Sequence, residues 1–150
     1  MPPPATSLDA VAVADRLRPV LLHLNRRLRR EAHSQGVTPG QLGLMATIHG
    51  TPGIGIGELA AREGMTAPAV CAHADKLEAA GLVARTRQGD GGDRRRVGLT
   101  VTGEGIRVLR AVRSRRTAWL ASRLRELDAA ELDAVDAAIE PLRRLIEPAS

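Results

Sequence analysis

A chain of 150 residues with 43% hydrophobic and 26% charged side chains is globular rather than disordered, and fits one ordinary domain or a small domain with arms. With no Phe, no Tyr and Trp119 as the single Trp, its core must be Leu, Val, Ile and Ala, which favours helices over a β-sandwich and argues against single-strand binding by base stacking. The balance of 22 basic against 17 acidic groups is +5 and almost entirely Arg, which suits a polyanionic partner, while the single Cys excludes an internal disulfide or a Cys-based zinc cluster.

Residues 1–7 read as a disordered Pro-rich tail. From Leu8 to about Ala32, Leu17, Val20, Leu21, Leu24 and Leu28 recur at helical steps among Arg16, Arg18, Arg26, Arg27, Arg29 and Arg30. Pro19 either kinks this helix or makes Val20 the start of its stable part, and Ser34-Gln35-Gly36 ends it. Thr38-Pro39 opens a second helix, with a Thr N-cap and a Pro in the first turn, where its missing N–H costs nothing. Gly50 to Gly55 stops that helix, and Ile54-Gly55-Ile56 reads as a short strand. A third helix runs from about Gly57 to Glu63. Gly64 breaks the chain, and Thr66 caps a fourth helix that reaches about Ala80 and ends at Gly81.

Leu82–Arg87 and Arg96–Val101 read as two short strands around the turn-rich Gln88-Gly89-Asp90-Gly91-Gly92-Asp93. Gly98 interrupts the second strand, so a bulge or a loosened ribbon is expected there. Thr102 begins a long helix to about Leu127, its first turn softened by Gly103 and Gly105. Asp128 caps a last helix through Leu132, Val135, Ile139 and Leu142 to Ile146, with a bend at Pro141. The charge is unevenly divided: residues 85–96 hold five Arg against two Asp, whereas residues 125–150 hold three Arg against seven acids.

The segment from Ile56 to Asp75 has the spacing of a helix-turn-helix. Ala60 lies where two helices cross and only a small side chain fits. Gly64 follows where the turn needs a positive φ, and Val70 sits where the second helix packs back on the first, with Leu59 and Leu77 completing the inward face. Such a unit holds its second helix with the N-terminal turns outward, able to lie in a major groove about 12 Å wide. A two-stranded ribbon with Asp93-Arg94-Arg95-Arg96 at its tip follows at once, which makes the whole a winged helix. Arg at that tip suits the minor groove or phosphate, and the neighbouring Asp93 can orient one guanidinium.

Gly57-Glu58-Leu59-Ala60, Asp75-Lys76-Leu77-Glu78-Ala79-Ala80-Gly81-Leu82-Val83, Arg85, Asp93-Arg94-Arg95-Arg96 and Val101-Thr102-Gly103-Glu104-Gly105 together resemble the multiple antibiotic resistance regulator (MarR) family of bacterial transcription factors. The resemblance implies a mainly α fold: a winged helix-turn-helix over residues 38–102, flanked by dimerisation helices at 8–37 and 103–150. It implies a homodimer with intertwined first and last helices, two recognition helices about one DNA turn apart on a pseudo-palindrome, and repression relieved by a small aromatic or phenolic effector. DNA contacts then fall on Thr66, Ala67, Pro68, Ala69, Ala72, His73 and Lys76 of the recognition helix, Arg85 and Arg87 on phosphates, and Asp93, Arg94, Arg95 and Arg96 in the wing. The sequence departs from the family where a Thr-Arg pair is common and Cys71-Ala72 stands instead; base readout is left to Thr66, Ala69, His73 and Lys76, and more of the affinity to the wing.

Other residues read more blandly. Cys71 is a small, partly buried apolar residue rather than a redox switch. His23, His33, His49 and His73 lack metal-ligand spacing, so neither metal nor cofactor is expected. Trp119 fills a core or dimer interface, or lines a ligand cleft. No nucleophile–base set or phosphate-binding Gly loop points to an enzyme. No signal-peptide pattern and no apolar run of about 20 residues is present, so a cytoplasmic protein without a membrane span is expected. The alternatives to a sequence-specific regulator of double-stranded DNA are a non-specific architectural DNA binder and a winged-helix module for protein interaction.

Overall fold

Most of the helices begin at a residue whose side chain can replace a missing backbone partner. The Asp9 carboxylate accepts the Val11 amide at 3.2 Å and opens α1 (Ala10–His33), which continues unbroken through Pro19, so Val20 is not its start. Thr38 and Gln41 form a reciprocal capping box at the head of α2 (Pro39–Gly50), with bonds of 3.0 and 3.1 Å. After β1 (Ile54–Gly55) come α3 (Ile56–Glu63), α4 (Ala67–Ala79), β2 (Val83–Arg87), β3 (Val97–Val101), α5 (Gly103–Leu124) and α6 (Ala129–Ile146). Asp128 and Glu131 repeat the capping box at α6. This computed structural model describes residues 8–87 and 97–147. The mainly α winged-helix plan expected from the sequence is present. No helix among the described residues is long and apolar enough to cross a membrane.

The chain divides into two compact units, with the boundary after Arg113 inside α5. In the first, the largest fully buried side chains are Leu44, Met45 and Ile48 of α2, Leu59 of α3, Val70 and Leu77 of α4, Val83 and Leu99 of the sheet, and Val112 of α5. Burying an aliphatic side chain of this size stabilises by roughly 1.5–3 kcal/mol, so these positions carry the fold without any aromatic ring. Most of α1 stays outside this core: only Ala32 is buried, and Val11, Val20, Leu21 and Leu22 are exposed. In the second unit, α6 buries nothing and leaves Leu132, Val135, Ile139, Leu145 and Ile146 exposed.

The three strands form an antiparallel sheet in the order β1-β3-β2. The short strand expected at Ile54-Gly55-Ile56 is present as Ile54–Gly55 and is the third member of the sheet, pairing with Leu99 and Gly98, while Ile56 begins α3. The expectation of a bulge or loosened ribbon at Gly98 is corrected. The β2–β3 register runs unbroken through Thr86↔Gly98 to Arg87↔Val97. Gly98 is needed for another reason: a Cβ there would lie 2.6 Å from the Gly53 oxygen and 2.9 Å from its Cα. Gly53 itself, at φ +84°, donates its N–H to the Leu99 carbonyl at 2.8 Å. The loop before β1 therefore lies directly on the β3 backbone.

A second correction concerns the start of α5. Gly105 does not soften the helix; a Cβ at that position would overlap the Leu82 carbonyl oxygen. Thr102 donates its backbone N–H to that same carbonyl at 3.0 Å, its hydroxyl donates to the Gly81 carbonyl at 2.6 Å, and the hydroxyl oxygen accepts the Gly105 amide at 3.1 Å. The end of α4 and the start of α5 are thus locked together through one threonine.

Gly98→Ala should lower stability by about 1–3 kcal/mol, because the added methyl meets backbone rather than a movable side chain. Gly57→Ala, whose new methyl meets nothing within 4 Å on a helix, should be neutral or stabilise by up to about 1 kcal/mol. Urea unfolding of both variants checks the contrast.

Candidate nucleic-acid interface

Two short helices and one tight turn set the orientation of α4. Ala60 and Val70 are both buried where α3 meets α4. Gly64 adopts φ +62°, and the Met65 amide donates back to the Ala60 carbonyl at 3.0 Å, closing α3 as a left-handed cap. The Thr66 hydroxyl then accepts the Ala69 amide at 3.4 Å and starts α4. At the far end, Gly81 at φ +74° donates to Glu78 and Leu82 donates to Leu77, both at 2.9 Å, which is a Schellman closure. Both helices of the motif are therefore ended by a glycine in the one conformation that L side chains resist. Side chains tie α3 to the preceding helix as well. Thr47 donates to the Glu63 carboxylate, and Arg62 donates to Thr51 at 2.8 Å and Glu58 at 2.6 Å.

With Val70, Ala74 and Leu77 turned into the core, the opposite face of α4 is set by the helical repeat. Thr66, Ala67, Pro68, Ala72, Asp75 and Lys76 are exposed, while Ala69, Cys71 and His73 are half-buried. Of the recognition-helix residues expected to touch DNA, Ala69 and His73 are placed less openly than the rest, and His73 is the polar one. Its Nδ1 is shielded from solvent and has no hydrogen-bond partner.

Arg85 on β2 connects the ribbon to α4. Its Nη2 donates to Asp75 at 2.6 Å and its Nη1 to Glu78 at 2.9 Å. The Asp75 hydrogen bond is the largest influence on this guanidinium and raises its pKa further above an already high value. The side chains are 31%, 64% and 43% exposed for Arg85, Asp75 and Glu78, so each pair contributes little to global stability. What the fork does is geometric: it fixes the strand against two successive turns of the helix. Arg85, expected on phosphate, is here engaged within the protein, whereas Arg87 is exposed at the end of β2. Asp93, Arg94, Arg95 and Arg96 lie outside the described residues. The roles of Asp75 and Glu78 were missed in the sequence, where a carboxylate pair one turn apart on a helix has no signature that names its partner.

Comparison with known proteins agrees with this geometry. Residues 35–96 match the model of the MarR family. An uncharacterized HTH-type transcriptional regulator of Mycobacterium bovis is 30% identical over 141 residues, covering 93% of this chain and 97% of that protein. The chain belongs to the MarR family. The HTH-type transcriptional repressor MdtR of Bacillus subtilis is 39% identical over 71 residues, 47% of this chain and 44% of the repressor. A crystal structure of a Pseudomonas aeruginosa protein superimposes with a TM-score of 0.80 at 31% identity, covering 93% of this chain and 96% of that one. The protein is accordingly a DNA-binding transcriptional regulator of the MarR family with a winged-helix fold.

In this MarR-family chain, Arg85→Gln should change stability by no more than about 1 kcal/mol while loosening the ribbon from α4. We expect weaker DNA binding with an unchanged far-UV circular dichroism spectrum. A double-mutant cycle with Asp75→Asn should show coupling in the binding free energy, and independent effects would exclude the brace.

Proposed function

We propose that this protein is a homodimeric repressor that binds a pseudo-palindromic operator through α4 and the wing, and is released by a small aromatic or phenolic effector. Its action is binding rather than catalysis. The observation that carries the reading is the fork from Arg85 to Asp75 and Glu78, which makes the ribbon and α4 one rigid surface. A rigid surface is what double-stranded DNA requires, because phosphate contacts fix register and base contacts then specify sequence. The net charge of +5, with five Arg in residues 85–96, supplies attraction to phosphate. MdtR, similar over 71 residues, is by name a repressor, which supports repression as the output.

The homodimer is supported by apolar surface. Val20, Leu21 and Leu22 on α1, and Leu132, Val135 and Ile139 on α6, are exposed in the single chain. Exposed apolar side chains of this kind, which on α6 follow helical steps, are what a second copy would cover. Ile139→Asp should convert a species of twice the 15.9 kDa chain mass into a monomer in sedimentation, and abolish operator binding with it.

The direct test is binding to the DNA upstream of its own gene against random competitor, across a salt series. A preference of about 10³-fold near physiological salt is expected, and a small aromatic compound should release the complex. Arg95→Ala should weaken binding and lower the salt slope by about one for each lost phosphate contact. Equal affinity for both DNAs, lost steeply with salt, would instead indicate an architectural binder. Absence of DNA binding at low salt would indicate a protein-interaction module.

A further inference from the structure

We propose that α4 reads thymine C5-methyl groups, with Pro68 and Ala72 as the contacting side chains, so that the operator half-sites are thymine-rich where the first two turns of α4 enter the groove. This rests on the reading of the protein as a DNA-binding regulator. The outward stripe of α4 runs at helical steps through Pro68, Ala72, Asp75 and Ala79, opposite the buried Val70, Ala74 and Leu77. Pro68 and Ala72 offer only methylene and methyl groups, and Pro68 lacks an N–H. Bidentate recognition of guanine or adenine edges needs Arg, Lys, Asn or Gln. The helix contains no Arg, Asn or Gln, and its one Lys, Lys76, comes in the third turn. The Asp75 carboxylate is the single long-range acceptor of the stripe, and its Oδ1 is held by Arg85 at 2.6 Å.

A face with this chemistry discriminates by what it fails to offer. Pressed into a major groove, it would strip water from the polar edges of any base pair without returning hydrogen bonds, which is costly, and only an A·T pair carries a C5-methyl group that offsets this cost. Against thymine it gains burial of that methyl group. Small side chains also let the helix axis approach the base edges closely. The loss of one methyl contact corresponds to about four-fold in affinity at each half-site.

The test starts from a random duplex library selected with the purified full-length protein. In the selected sequence, thymines are replaced by deoxyuridine one symmetric pair at a time, which removes the methyl and keeps every base-pairing edge. We expect at least one pair whose replacement lowers affinity about ten-fold or more. The same replacement should cost much less in Ala72→Gly, whose fold is checked by circular dichroism. Repeating the selection with Ala72→Arg should move the preferred base from thymine to guanine. Indifference to every deoxyuridine, with sensitivity to 7-deazaguanine, would overturn the inference by showing polar edge readout. So would duplex binding with no enriched sequence. Failure to bind any duplex would overturn the regulator reading itself, a result distinguishable from the other two because no complex forms to be substituted.

Discussion

The backbone of Leu82 is where four elements meet. Its N–H closes α4 by donating to Leu77. Its carbonyl accepts from Thr102 at the end of β3 and lies against Gly105 in the first turn of α5. Its side chain is buried at the head of β2. A shift of this one peptide would move the recognition helix, both long strands and the helix that leaves the domain. The glycines around it follow from that crowding. Gly81 supplies the left-handed turn that brings the chain round, and Gly105 removes the side chain that would otherwise hold α5 away. Thr102 then satisfies the carbonyl and amide groups that such close approach leaves without water.

In the reading proposed above, affinity and discrimination fall to different parts of the sequence. Positive charge is concentrated in residues 85–96, whereas α4 is short of long polar side chains. Charge acts on any duplex and weakens with salt. A small apolar face acts only where the groove offers matching methyl groups. The Arg85 fork joins the two by holding strand and helix in one geometry, so a contact made by one element constrains the other. Asp75 and Glu78 are both paired with Arg85, which reduces the repulsion that two carboxylates would present to a nearby phosphate.

Much of the fold was legible because it is encoded locally. Thr38, Thr66 and Asp128 cap the helices they were expected to cap, and Gly64 takes the positive φ that its place between two short helices requires. Capping and turn formation involve residues two to four apart, so the sequence displays them directly. Gly98 and Gly105 were misread for the opposite reason. Each looked like a weakness in its own strand or helix. Each is in fact required by a backbone distant in sequence, Gly53 for one and Leu82 for the other. The same limit hid the brace, since Arg85 finds its carboxylates ten and seven residues back, across a turn.

The sequence alone determined the order and type of the helices, the aliphatic core, the winged helix and, through the assembled motifs, the family. These depend on periodicity, caps and turn residues, which act over a few positions. Tertiary structure alone decided that His73 turns its Nδ1 away from solvent, that β1 completes the sheet, and that Arg85 is engaged by α4. Those outcomes depend on which atoms crowd each other after the chain has folded back, and no local pattern of residues carries that information.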